Sequence, residues 1–512
     1  MAFEPNYEKL VTSYRKMLNK AQENVEVKLS TIDNSDIKTI LCSSAKSYVV
    51  NSEISGNIIS YTGEVNFQVI YESTMGDVYG LDYTAEFVNK FVLEDNHMVS
   101  VPVVSSEVID VSVDVLNSTT ISANAIIETT TYGIVNEDTA VLTSVNGDNT
   151  YTSVDNVNFY NYIGMLSERY ELSQDVEIND GVSRVLSVTP SVTLDSVKPN
   201  MDYATVSGNV VVDMCYLTNE ELPKVRSYTT TLDFSMEVAL ANLNSDSYIQ
   251  SDVAINTTDI KVTSNIENDK AVINLVLPVL YRGYAYNKNN LDIVSDIYST
   301  TNELNVSSAS VMSIEPSDVL TSMEKISGNV QIEDSFVDEI LGNCCNYVTI
   351  TNTYMEEDGV VVEGVANSTV LYYNKEDNQK NSVMVEMPFS VRVKGDNYND
   401  NYFALVNCVL SDVTTKCKRG QEIEVNAKLY FYVDVYTNEV NAVINEVSEG
   451  DAREDNPCAL RIYVVKDNES LWDVAKELGT SEDELIMQNP NLELPLKAGD
   501  RVFMYYQRVM EF

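Results

Sequence analysis

Histidine is the side chain that most readily moves protons near neutral pH, and this 512-residue chain has one, His97. It lies in the polar stretch Glu94-Asp-Asn-His97 and reads as a solvated turn residue. Neither a Ser-His-Asp nor a Cys-His arrangement has a second histidine to draw on. An H-E-x-x-H zinc motif and a G-x-x-x-x-G-K-[ST] phosphate loop are both missing from the sequence. The 78 acidic residues always offer carboxylate pairs, but no local pattern singles one out for acid–base work. Seven cysteines are scattered: Cys42, Cys215, Cys344, Cys345, Cys408, Cys417 and Cys458. None forms a C-x-x-C pair, so no zinc knuckle or thioredoxin-like site is suggested. The adjacent Cys344-Cys345 could be a redox or metal element, but buried, reduced thiols beside a strand are the expectation. The chemistry-bearing residues thus predict no catalytic set, no cofactor and no metal: the chain reads as a protein that is not an enzyme.

Charge narrows the partners. Against 78 acidic residues stand 33 basic ones, a formal net charge of -45. Such a field repels phosphate backbones and anionic lipid heads. Nucleic-acid binding and broad electrostatic docking on a membrane are not expected. The acidic surface serves solubility or selects a basic partner. The opening Met1-Ala-Phe-Glu-Pro-Asn-Tyr7 has neither a basic n-region nor an apolar h-region, and no apolar run approaches the ~18–20 residues needed to span a bilayer. The expectation is a chain that stays where it is made and does not insert into a membrane.

The elements that must hold the surface together repeat. A glycine followed eight residues later by tyrosine recurs at Gly63–Tyr71, Gly208–Tyr216 and Gly364–Tyr372, each enclosing a strand-like run rich in β-branched residues. Upstream stand Ile40-Leu41, Val185-Leu186 and Ile340-Leu341, with 22, 22 and 23 residues from leucine to glycine. Further upstream come Val27-Lys28-Leu29, Val176-Glu177-Ile178 and Val330-Gln331-Ile332. Phe87, Phe234 and Phe389 follow the tyrosines. More alternating sequence closes each repeat, over 121–127, 271–277 and 423–433. At this length a repeat is an independent all-β unit rather than a solenoid turn. Three tandem, sandwich-like β domains are predicted, over residues 25–148, 172–316 and 327–449. Before them, Tyr7, Leu10, Val11, Tyr14, Met17 and Leu18 fall at helical spacing. They predict an amphipathic helix over 1–24, capped by Asn6, that packs on the first domain or binds a partner.

After a polar stretch over 448–457 the texture changes. A strand from Leu460 leads to Ser470, a cap for a helix whose inward stripe is Leu471, Val474, Ala475 and Leu478. Gly479 ends that helix. A second helix starts after Ser481 and stops by Pro490. Gly499-Asp500 turns into a last strand. Residues 458–512 therefore predict a small βααβ module. Trp472, the only tryptophan, sits at the edge of the buried stripe, where it either caps the small core or anchors an interface. Asn489 either fixes the turn before Pro490 or touches a ligand.

The run Tyr463-Val-Val-Lys-Asp-Asn-Glu-Ser-Leu-Trp-Asp-Val-Ala475 resembles the LysM opening Y-x-V-x-x-G-D-T-L-W-x-I-A. Leu485-Ile-Met-Gln-Asn-Pro490 resembles its L-x-x-x-N-P, and Leu496-Lys-Ala-Gly-Asp-Arg-Val502 its closing L-x-x-G-x-x-L. LysM modules bind N-acetylglucosamine polymers through the loops after the first strand and the second helix. Here Asn468-Glu469-Ser470 replaces Gly-Asp-Thr, which reduces backbone freedom. Kept away from peptidoglycan, such a module needs another ligand, most simply a protein. G-x-V-x-F-x-V-x-Y-like strands in repeated β domains, followed by one LysM-like module, resemble the SipL-type spore proteins of clostridia, built from SPOCS domains. The resemblance implies a scaffold of coat assembly in the mother-cell cytoplasm, concentrated at the forespore surface. Its partners would be the coat's basement-layer morphogenetic ATPase and other coat proteins, not peptidoglycan. The partner-binding residues expected are Leu460, Ile462, Lys466, Ser470, Leu471, Trp472, Asn489 and Pro490, centred on Trp472. Rival expectations are a peptidoglycan-binding, hydrolase-associated protein and a structural protein of a phage-tail-like particle.

Overall fold

A computed structural model describes residues 3–93, 99–267, 270–333, 336–374, 376, 379–453 and 460–505; His97 and Cys458 lie outside the described residues. The chain is mainly β. The first repeat comprises β1 (Glu4–Ser30), β2 (Ile37–Ser55), β3 (Ile58–Ser73), β4 (Val78–Val92), β5 (Val99–Asn117) and β6 (Thr120–Asn146). They form two antiparallel sheets, β2-β3-β4 and β1-β6-β5. The second repeat runs β7 (Thr150–Ile178), β8 (Val182–Pro199), β9 (Tyr203–Thr218), β10 (Val225–Ala239), β11 (Tyr248–Ile255), β12 (Lys261–Glu267) and β13 (Lys270–Ser299). Its β8-β9-β10 sheet matches β2-β3-β4, and β11 and β12 together take the place of β5 beside β13. The third repeat, β14 (Asn302–Gln331), β15 (Glu339–Glu356), β16 (Gly359–Asn374), β17 (Gln379–Lys394), β18 (Tyr402–Lys418) and β19 (Glu422–Ala452), repeats the first.

Alternation explains the cores. Ile121, Ala123, Ala125 and Ile127 of β6 point inward at every second position and are fully buried. They meet Val65, Phe67 and Val69 of β3 in the same cluster. The repeated glycine has a steric reason. Gly63, Gly208 and Gly364 stand directly across the ladder from Phe87, Phe234 and Phe389. A Cβ at Gly208 would lie 2.2 Å from the Thr193 carbonyl oxygen and 2.8 Å from the Phe234 ring. The ring lies over the space a side chain would need, a known way to cover a strand glycine.

The three repeats close on one another head to tail. β4 meets β8, β10 meets β15, and β17 returns to β2, so the outer strands of the three sheets cover each other in a ring. At Leu41, Leu186 and Leu341 the first strand of each sheet steps out of register by one residue. Each bulge turns its leucine toward the common axis, where the three pack in one cluster with Ile70, Cys215 and Leu371. A cavity of about 290 Å³ lies among the repeats, lined in part by Lys46, Glu107, Pro190, Asn346 and Cys408.

The first and last strands of each repeat run on past the sandwich as paired ribbons, β1 with β6, β7 with β13 and β14 with β19. The ribbons pack as a three-sided stalk. Equivalent residues meet in layers: Val141, Ile293 and Val443 in one, Leu142, Val294 and Ile444 in the next. This corrects the sequence reading of the N-terminus. Residues 4–30 are not an amphipathic helix but one strand, laddered along β6. Leu10, Thr12, Ser13, Tyr14 and Arg15 are all buried, so both strand faces are covered and no period-2 pattern survives. Domain bounds shift too. β7 starts at Thr150 rather than 172, and β14 starts at Asn302, inside the range assigned to the second domain. Among the described residues, no helix is long and apolar enough to cross a membrane.

Candidate interaction site on the C-terminal module

The last described segment is a strand, two helices and a strand: β20 (Leu460–Val464), α1 (Leu471–Leu478), α2 (Glu482–Gln488) and β21 (Arg501–Tyr505). β20 pairs antiparallel with β21. Ser470 caps α1: its hydroxyl accepts from the Asp473 amide, and the Asp473 carboxylate accepts from the Ser470 amide. Gly479 closes the helix at φ 67. Val474, Ala475, Leu478, Leu485, Val502 and Met504 form the core, with Leu471 partly buried against it.

Trp472 packs at the edge of that core and onto the second repeat, whose Tyr298 belongs to the same cluster. Its indole Nε1 donates to Asp296 Oδ2 at 2.8 Å. Its ring meets Tyr298 edge-on, with centroids 4.9 Å apart. Lys476 Nζ, one turn along α1, contacts both Asp296 oxygens at 2.6 and 2.8 Å. The Tyr298 hydroxyl donates to the Thr480 carbonyl at 2.9 Å, and Tyr151 stacks on Tyr298. Burial opposes ionisation of Asp296, but hydrogen bonds from Lys476 and Trp472 outweigh it and hold the carboxyl below its usual range. β13 leaves its register between Val294 and Asp296. β6 and β19 break at the matching place, but Ser144 and Asn146 in the first repeat and Glu446 and Ser448 in the third stand where Asp296 and Tyr298 are. The cradle for Trp472 belongs to the second repeat alone.

The other expected residues divide. Asn489 is buried; its amide donates to Leu485 and Phe503 carbonyls at 2.8 and 2.7 Å and accepts from the Phe503 amide. It ties α2 to β21 through these three bonds. Gln488 extends this clasp to Tyr505. Lys466 and Ser470 are exposed in the loop after β20, and Pro490 is exposed after α2. That loop folds on itself: Glu469 accepts from the Tyr463 hydroxyl and the Lys466 amide, both at 2.8 Å. Asn468 sits at φ 63. Asparagine tolerates this left-handed backbone, so it takes the conformation that the expected glycine would.

Leu460 and Ile462 do lie on an open face. With Val464 they project at every second position of β20 and are 43%, 53% and 53% exposed. Across the ladder, Phe503 and Tyr505 share that side. Ile486 and Met487 of α2 are exposed as well. The sequence reasoning missed Val464, Phe503 and Tyr505; their alternation with buried Val502 and Met504 was the available signal.

Two segments, residues 181–264 and 336–418, match the family model described as SipL, SPOCS domain. They run from β8 into β12 and from before β15 to the end of β18. The first repeat lies outside the match but has the same strand order. No curated protein and no solved structure matches the chain. The match makes these two segments similar to the SPOCS domain of SipL.

Proposed function

We propose that the chain is a non-enzymatic scaffold of spore coat assembly, working in the mother-cell cytoplasm at the forespore surface. Its C-terminal module, read as LysM-type, docks the coat's basement-layer morphogenetic ATPase, and the β repeats recruit further coat proteins. The observation that carries this reading is the SPOCS match in two of three repeats that share one architecture. The LysM-like motifs on a strand–helix–helix–strand segment add to it.

Two features favour a protein over a sugar polymer as the module's ligand. The loop that would cradle sugar is bonded to itself through Glu469. The open face of β20 and β21 offers apolar side chains, the chemistry of a protein interface. In this reading Trp472 aims the module, and Leu460, Ile462, Val464, Phe503 and Tyr505 grip the partner.

A pull-down from sporulating cells tests it, with the full chain, a chain lacking residues 458–512, and an Ile462→Asp variant. The ATPase is expected with the full chain and absent with the other two. Equal recovery with the truncated chain would overturn the docking assignment. Retention on purified peptidoglycan would replace the partner class.

A further inference from the structure

The third repeat carries one residue more than the others between its leucine and glycine markers, and the structure shows where it goes. β15 leaves its ladder between Cys344 and Tyr347. The matching stretches, from Cys42 to Val49 in β2 and from Ser187 to Leu194 in β8, are unbroken. Cys345 in this bulge takes φ 54. A left-handed backbone at a residue other than glycine is strained and persists where the surroundings enforce it. Its effect is directional. Neighbouring side chains in a plain strand face opposite ways, whereas here Cys344 and Cys345 are both buried and both face Cys42 of the first repeat.

The three sulfurs lie within 4.8 Å of one another. Cys42 and Cys344 Sγ are 2.8 Å apart across 302 residues of chain, closer than the ~3.5–4.0 Å at which non-bonded atoms pack best. Apolar Leu41, Leu186 and Leu341 enclose them, with Cys215 of the second repeat in the same cluster. We propose that Cys42, Cys344 and Cys345 form a closed trithiolate site for one soft, thiophilic cation, Cu(I) or Zn(II). The ligand set decides the class. Thiolates select these ions over Mg²⁺, Ca²⁺ and Mn²⁺, which prefer oxygen. Zn(II) favours four ligands, and Cys215 is the one further thiol in the cluster. Each thiol that ligates gives its proton to solvent as the metal enters, with no change of oxidation state. Burial pushes the Cys42 and Cys344 thiols up. Hydrogen bonds from Cys344 and Cys42 draw Cys345 down. A cation here fastens the first repeat to the third, at the seam where the ring of repeats closes.

The test uses the full chain, purified without oxygen and freed of reductant. It is titrated with Cu(I) held by a competing chromogenic chelator and, separately, with Zn(II) against a metal indicator. One equivalent of at least one metal is expected to survive gel filtration and to raise the melting temperature. Cys42→Ser, Cys344→Ser and Cys345→Ser should each weaken binding by about 100-fold or more, beyond the ~10–100-fold typical of losing a group that only supports a ligand, while Cys408→Ser binds as the parent does. Cys42→Ala, which keeps the apolar packing, serves if a serine variant loses the parent's circular dichroism. Retention of neither metal overturns the site. So does equal retention by the triple variant, or a Cys42–Cys344 disulfide in the anaerobic protein.

Discussion

Trp472 and Asp296 are 176 residues apart in sequence and joined by a 2.8 Å hydrogen bond from indole to carboxylate. With Tyr298 beneath the ring, this pair fixes the C-terminal module to the second repeat. Because Trp472 is the only tryptophan, its fluorescence reports the docking directly. Replacing Tyr298 by alanine removes an aromatic pair of about 0.5–1.5 kcal/mol and the bond to Thr480. The emission maximum should shift to the red while the far-ultraviolet dichroism of the β repeats stays as it was. An unmoved maximum would show that the module is held elsewhere.

Acid should release the same contact. Asp296 has a carboxyl held below its usual range by Lys476 and Trp472 against the opposing effect of burial. A depressed acid contributes stability above its unfolded value, near 4, and loses it as pH falls through the lower folded value. Tryptophan emission should therefore be level from pH 8 to 5 and redden only below about pH 4. Asp296→Asn should show a reddened spectrum at pH 7 and a smaller acid transition. A variant with the parent's acid profile would exclude Asp296 as the titrating group.

Gly208→Ala should destabilise the second repeat by about 1–3 kcal/mol, the usual range for forcing atoms into a packed interior. The Thr193 carbonyl, 2.2 Å from the added carbon, is ladder backbone and cannot swing aside. Gly56→Ala is the informative contrast. There the new carbon meets nothing within 4 Å, and only the left-handed φ of 62 resists it. Thermal melts should rank Gly208→Ala well below Gly56→Ala; the reverse order would contradict the cross-strand packing.

Buried Asp434 gives stability an alkaline slope. Burial pushes its carboxyl up to about 7, only partly offset by the hydrogen bond from Tyr248 and the charge of Arg15. The folded chain then holds a proton that the unfolded chain releases near pH 4. Stability is full below about pH 4 and declines as pH rises to about 7. Asp434→Asn should lessen the fall in melting temperature between pH 5 and pH 8. Parallel falls in both proteins would assign the slope to other groups.

Sheet composition was legible because Ile121, Ala123, Ala125 and Ile127 alternate as a half-buried strand must. The glycine–phenylalanine markers could be counted, although their cross-strand contact could not be seen. The stalk was hidden. Over residues 12–15 of β1 both faces are buried, so Leu10, Tyr14 and Leu18 mimic a helical stripe, and the partner strand lies more than a hundred residues away. Trp472 showed a similar limit. Its position on α1 placed it at the edge of the small core, but only the fold brings Asp296 and Tyr298 beneath it. The extra residue before Gly364 was visible in the spacing. Its meaning depended on Cys42, which no local motif could pair with Cys344.

The head-to-tail ring makes the chain a trimer fused into one polypeptide. An ordinary trimer comes apart on dilution, because its stability depends on subunit concentration. Here β17 must find β2 within the same molecule, so ring closure is independent of how much protein is present. Fusion also frees each repeat from symmetry. A homotrimer would carry three copies of any feature, whereas this ring carries one tryptophan cradle, in the second repeat, and one cysteine bulge, in the third. A single module, docked on the second repeat, makes one side of the ring unlike the other two.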